Sequence, residues 1–366
     1  MPANRMNREE FFAKLAPLDE AGLKKALWNL YWRAPAQLRE RIEGEIEPAE
    51  KDRRQRAAAQ PPNPHLVLMD VNEFAELARS GAYMAGDRRV SPRERTRWRV
   101  TFRRLAADAQ AALRAEEPGP AEDALAQLID LACETRDVDY FRSEDPMEAA
   151  RFVVSDAAGL LWGTMRDRYG FAGFAGRAAP QFVRWESRYG WTRSAWGQLA
   201  QKETSLASVL TRMLPATDMW VGFAERYLGA LDEAARGDAA ARDGIWFASG
   251  SGAGSARRYR REQRAGALAE WNLELLDRLD GPETGHLLDR LVKHPALEGP
   301  ECTLLRAHLA RRRGDQDGVH ALLHEVLEKL PGHQEALAFA AETGAPLPPR
   351  AAQAAQKRRG WDATPE

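Results

Sequence analysis

Apolar residues recur three and four positions apart along most of the chain, and strict alternation is almost absent, so the pattern predicts helices throughout. Leu23, Leu27, Leu30, Tyr31 and Ala34 form the first stripe. After Ala34-Pro35, Leu38, Ile42 and Ile46 repeat it, which predicts a helical hairpin over residues 1–47. Trp28, Tyr31 and Trp32 share one face of the first helix, a spacing that serves packing or an aromatic recognition surface. The charged, then Ala-rich, then Pro-rich run over 48–64 predicts a linker. "HLVLMDV" (65–71) reads as a buried apolar entry into the next helix rather than a strand.

Ser91, Pro92 and Glu94 spell a capping box with proline at the first helical position, and Trp98, Phe102, Leu105, Ala109 and Leu113 follow as a core-facing stripe. "EEPGPAED" ends that helix and opens another over about 123–133. Asp145, Pro146 and Glu148 repeat the start signal. The broad face from Ala150 through Val153, Ala157, Leu161 and Met165 predicts one central helix beginning there. Arg168-Tyr169-Gly170-Phe171 and Arg188-Tyr189-Gly190-Trp191 then read as the same helix stop used twice. In each, an arginine sits in the last turn, a left-handed glycine follows, and an apolar residue folds back onto the helix; Pro180 starts the helix between them. Further helices are expected over 195–202, 205–214 and 218–235. Residues 65–248 are thus a central multi-helix domain, closed by a flexible Gly/Ser and Arg-rich loop over 249–264.

"LLRAHLARRRGDQDGVHALLHEVLEKLPGHQEAL" (304–337) resembles a tetratricopeptide repeat, an antiparallel helix pair of about 34 residues. Ala307 and Ala310 stand at the close-packed positions of the first helix and Gly314 at the turn. Val319, Leu323 and Val326 follow at the buried positions of the second helix, and Pro331 comes 17 residues after the glycine. Val319 replaces the usual small residue and the aromatic positions are absent. The preceding 268–301 has similar length and matches less well. The resemblance implies a stacked helix-pair array over 265–343 that binds proteins or peptides, and it implies no catalysis. Residues 344–366 read as a flexible tail. The expected fold class is therefore all-α: a hairpin, a central multi-helix domain and an antiparallel helix-pair array.

Composition changes this picture little. Basic and acidic residues nearly cancel, 53 against 54, so no global field draws the chain to nucleic acid or membrane. Only eight of the basic residues are lysine, which fits a GC-rich genome. Two cysteines far apart, Cys133 and Cys302, suit a reducing cytoplasm. The start of the chain lacks the apolar run of a signal peptide, and no run of 18 apolar residues occurs.

Local charge gives a second candidate function. Eight arginines fall between Arg88 and Arg104, and Arg95, Arg99 and Arg103 share one helix face. Arg257, Arg258, Tyr259, Arg260 and Arg261 form another basic run with an aromatic side chain for stacking. Both serve nucleic acid or, equally, a solvated face. His320 and His324, four apart, have the spacing of a shared metal, yet lack a third ligand with suitable spacing, and Asp137-Val138-Asp139 reads as loop caps. No cofactor or metal is expected, and no nucleophile, Walker or zinc-protease signature is present. The expected function is a non-catalytic adaptor gripping another protein through the helix-pair array, with Trp185, Trp191, Trp196, His320 and His324 as partner-binding residues. Nucleic-acid binding through the arginine runs is the alternative, and an enzyme with an unrecognised site the third.

Overall fold

Short polar side chains followed by proline open the helices. Asn63 accepts the amides of His65 and Leu66 ahead of Pro64. Ser91 and Glu94 close both halves of the capping box ahead of Pro92, and Asp145 accepts the amides of Met147 and Glu148 ahead of Pro146. The structure, a computed structural model, describes residues 8–35, 38–39, 42, 61–84, 89–189, 197–240, 252–279, 281 and 283–362. Among them are sixteen helices and no strand, so the protein is all-α. The chain divides into two units, Met1–Pro61 and Pro62–Glu366.

The first unit contains α1 (Arg8–Leu15) and α2 (Glu20–Arg33). The second helix of the expected hairpin lies outside the described residues, apart from a few positions.

The second unit runs through α3 (Pro64–Arg79), α4 (Pro92–Ala112), α5 (Gly119–Glu134), the single-turn α6 (Pro146–Ala150), α7 (Val154–Tyr189), α8 (Leu206–Thr211) and α9 (Thr217–Ala240). It continues with α10 (Gly252–Ala267), α11 (Ala269–Arg278), α12 (Gly285–Val292), α13 (Pro300–Arg312), α14 (Gln316–Lys329), α15 (Gln334–Thr343) and α16 (Pro349–Asp362). The helix α7 is the axis, packing against α4, α5, α8, α9 and α10. Its Trp162 and Trp185 stack at 5.7 Å in the middle of the core. Trp271 of α11 is walled in by Phe182, Trp220, Phe223 and Tyr227.

Four expectations change, besides the helix expected over 195–202, which is bend and turn rather than helix over its described part, 197–202. The start signal at Asp145 launches only α6, because Arg151 turns left-handed (φ 54°) and the central helix begins anew at Val154. At Gly170, φ 66° and ψ −176° place the backbone in a region open essentially to glycine alone, so the helix does break there. It resumes at once, however. Phe171 goes to α9, where a β-carbon on Gly222 would sit 2.9 Å from its ring, instead of folding back. Pro180 lies inside the resumed helix, not at its start; Gly190 lies outside the described residues.

The third and fourth changes concern 249–264 and the tail. Residues 252–267 form α10, and the main core runs without interruption from Val67 in α3 to Leu309 in α13, so no domain boundary falls there. Arg260 and Arg264 bind Asp238, and Arg258 binds Glu262 and Glu298. The sequence reads as loop because most of those partners come from distant elements. The tail likewise contains α16, whose Ala351 is buried.

Beyond α13 a smaller second core takes over. The helices α13 and α14 pack through a tight turn in which Gly314 has φ 74°, and Ala307, Val319, Leu323 and Val326 are buried with Phe339 of α15 and Ala351 of α16. No helix among the described residues is long and apolar enough to cross a membrane.

Candidate functional site

The residues expected to bind a partner are not brought together. Trp185 is fully buried, its indole nitrogen donating to Asp130 at 2.7 Å. It is a core residue because α7 turns that face inward between α5 and its own first half, and no partner reaches it. Trp191 and Trp196 lie outside the described residues. His320 lies within hydrogen-bonding distance of Gln316 and the Thr343 carbonyl, tying α14 to the end of α15, while His324 is exposed. Among the described residues no three His, Cys, Asp or Glu side chains converge as a metal site would need. Burial raises both thiols, Cys133 and Cys302, above the usual cysteine range, so neither is poised as a nucleophile.

The two arginine runs part company. In α10, Arg258 and Arg261 are engaged by Glu298, and Arg260 by Asp238, while the Nε of Arg257 is buried without a hydrogen bond. That run is therefore mostly paired with carboxylates of the fold, although Arg260 shares its Asp238 with Arg264. In α4, Arg95 donates to the Met84 carbonyl, and Arg104 is held by Asp70 and Asp108. Arg93, Arg97, Arg99 and Arg103 are exposed and have no carboxylate partner among the described residues.

The most exposed apolar surface is α2. Asp19 caps it by accepting the Gly22 amide at 2.8 Å, and Ala34, held extended before Pro35, ends it. Between them no residue is buried. Leu23, Leu27 and Leu30 line one face. Trp28 and Trp32, exposed to 58% and 71%, stack at 5.7 Å on another. Lys24, Lys25 and Arg33 supply the charge. Covering the open part of both indoles, on the order of 100 Å² each, gives roughly 5 kcal/mol at about 25 cal/mol per Å² before the cost of association. A micromolar complex needs about 8 kcal/mol net of that cost, so this pair contributes but needs further contacts beside it. The set has aromatic and aliphatic area and no poised acid, base or nucleophile, which suits recognition and not catalysis.

A second surface lies on α13, the first helix of the C-terminal pair. A groove of about 430 Å³ runs between it and α12, floored by Val292, Leu309 and Ala310 and flanked by Lys293, Arg306 and Arg313. The α2 aromatics are visible in the sequence, whereas this groove exists only once α12 and α13 are packed.

Compared with models of protein families, with curated proteins and with solved structures, the chain matches none.

Proposed function

We propose that the protein is a non-catalytic adaptor of the cytoplasm that holds another protein. The observation carrying this reading is α2, a helix of fourteen residues with none buried and two stacked, exposed tryptophans. Contiguous apolar surface of this kind is uncommon on a soluble monomer and typical of a binding site. The tetratricopeptide-like packing of α13 and α14, with its groove, supplies the second contact.

A second reading is favoured by one observation, the four exposed arginines of α4 without carboxylate partners among the described residues: a sequence-blind grip on nucleic acid phosphates. One experiment separates the two. Tagged full-length protein, and a Trp28→Ser/Trp32→Ser variant, are captured from lysate of the native cells with and without nuclease. The adaptor reading expects a defined partner that survives nuclease and is lost with the double variant. Proteins that vanish on nuclease, and on Arg99→Glu/Arg103→Glu, would replace it with the nucleic-acid reading.

A further inference from the structure

Three helices of the second unit each turn one stripe toward a shared cleft of about 970 Å³. The resumed half of α7 contributes Pro180, Val183, Arg184, Ser187 and Arg188; α9 contributes Ala230, Glu233, Ala234, Gly237 and Asp238. These fall at i, i+3, i+4, i+7 and i+8, so each helix presents a single face. Tyr259, Arg260, Gln263 and Arg264 of α10 close the third side. The floor is small and apolar, made by Pro180, Val183, Ala230, Ala234 and Gly237. The rim is guanidinium, carboxylate, hydroxyl and amide, and the volume lies at the upper end of the roughly 300–1,000 Å³ that small-molecule sites span.

The charges on two walls do not cancel. On the α7 wall Arg184 takes Asp130 with two bonds, at 2.6 and 3.0 Å. Glu134 is taken by Arg79, also with two bonds, so Arg188 reaches it only at 3.9 Å. Three guanidiniums thus face two carboxylates here, with a third acid, Asp137, in the lining of the same cleft. On the α10 wall Arg260 and Arg264 share the single carboxylate of Asp238, at 3.1 and 2.9 Å. Burial pushes the Asp238 carboxyl upward, but the two arginines outweigh it and hold the group below its usual range, so it stays charged and one positive charge remains over. Of the acidic residues at the mouth, Glu233 is paired with Arg236 at 3.8 Å, and Asp137 is exposed. Beside these charges the Tyr259 ring is 63% exposed, with no partner among the described residues.

We propose that this cleft binds a nucleotide, its phosphates taken by Arg188 and Arg260 from the two walls and its base stacked on Tyr259. Arg188, reaching Glu134 only at 3.9 Å, and Arg260, which shares its carboxylate with Arg264, suit a negatively charged group, and charge-assisted bonds to guanidinium are the strong ones. A flat ring stacks on Tyr259 without a specific hydrogen-bond pattern. The site is independent of α2 and of the adaptor reading.

The test is a titration of the full-length protein with N-methylanthraniloyl-ATP, competed by ATP, by AMP and by inorganic tripolyphosphate. Saturable binding is expected, weakened about tenfold or more by Arg188→Ala and by Arg260→Ala. Tyr259→Ala should weaken it several-fold, whereas Tyr259→Phe and Arg258→Ala leave it unchanged. Thermal melting of each variant shows whether it folds; since among the described residues Arg188 has only the 3.9 Å ion-pair contact with Glu134, Arg188→Ala decides even if Arg260→Ala unfolds. Absence of saturable binding, or equal binding by every folded variant, would overturn the proposal. So would tripolyphosphate competing as well as ATP with Tyr259→Ala silent, or a single-stranded oligonucleotide binding more tightly than ATP.

Discussion

Glu203 and Ser155, 48 residues apart, form the start of the central helix together: the Glu203 carboxylate accepts the Ser155 amide at 3.0 Å and its hydroxyl at 2.6 Å. The same carboxylate accepts the Val154 amide at 2.7 Å, and the Ser155 hydroxyl oxygen in turn accepts the Thr204 amide. A helix leaves its first amides unpaired, and here a distant acid, not a residue just before the helix, satisfies them. Val154, Ser155 and Glu203 are all buried. Glu203→Ala should therefore lower stability by about 2–3 kcal/mol, the cost of buried donors left alone together with a lost charge-assisted cap. Glu203→Gln, which keeps one acceptor, should lose less. Urea unfolding followed by circular dichroism measures both. Equal losses in the two variants would show that the capping bonds are not what Glu203 contributes.

This cap also shows where the sequence stops being legible. Local grammar can be read directly, and Ser91 with Glu94, Asn63 with Pro64, and Asp145 with Pro146 all do as their types and spacing say. Asp145 misleads about extent, because what starts the long helix is Glu203, which no local window contains. The same reason hides the fate of the arginines. Arg95, Arg99 and Arg103 look like Arg258, Arg260 and Arg261 in sequence, yet the second set meets Asp238, Glu262 and Glu298 and the first meets no acid among the described residues. Composition reports charge, and only packing reports whether that charge is spent. For Trp185, likewise, nearness in sequence to other tryptophans suggests a shared surface, whereas in the fold Phe182, Val183 and Trp185 are all buried.

Three glycines in α7 should respond to alanine in different ways. Gly170→Ala meets no steric obstacle, so its cost is purely the disfavoured backbone and should be about 1–3 kcal/mol. Gly173→Ala would bring a β-carbon to 2.5 Å from that of Tyr169, whose hydroxyl is committed to Glu122, so it too should destabilise. Gly176 is exposed and helical with open space around it, and Gly176→Ala should stabilise by about 0.5–1 kcal/mol. Urea midpoints order the three, and a neutral Gly170→Ala would mean that the helix does not break at this residue.

Trp185→Phe keeps a ring against Trp162 and removes the bond from the indole nitrogen to Asp130, leaving Arg184 as partner of that carboxylate. It should cost about 1–2 kcal/mol of stability and leave capture of the protein partner intact. Retained stability with lost capture would return Trp185 to the binding surface.

Two histidines of the second unit should pull stability in opposite directions with pH. In its neutral form His333 caps α15 by accepting the Ala336 amide on Nδ1, a bond the protonated ring gives up, and its Nε2 lies 2.8 Å from Glu301, with Glu335 also near. The Glu301 contact raises its pKa above the usual histidine value of about 6.5. The folded chain therefore holds this proton more tightly than the unfolded chain; the stabilisation is full below about pH 6.5 and is lost as pH rises through the folded value. His294 is the reverse. Burial lowers its pKa, with Arg290 and Arg264 adding to the effect and Asp232, 3.0 Å from Nε2, opposing it. Its contribution is present above about pH 6.5 and is lost as pH falls through the lowered value, because the unfolded chain then takes the proton first. His333→Gln should accordingly cost more at pH 5.5 than at pH 8.5, and His294→Gln more at pH 8.5 than at pH 5.5. Urea midpoints of both variants and the parent at the two pH values test this, and slopes of the same sign would show that one of the two imidazoles does not sit in the electrostatic setting described.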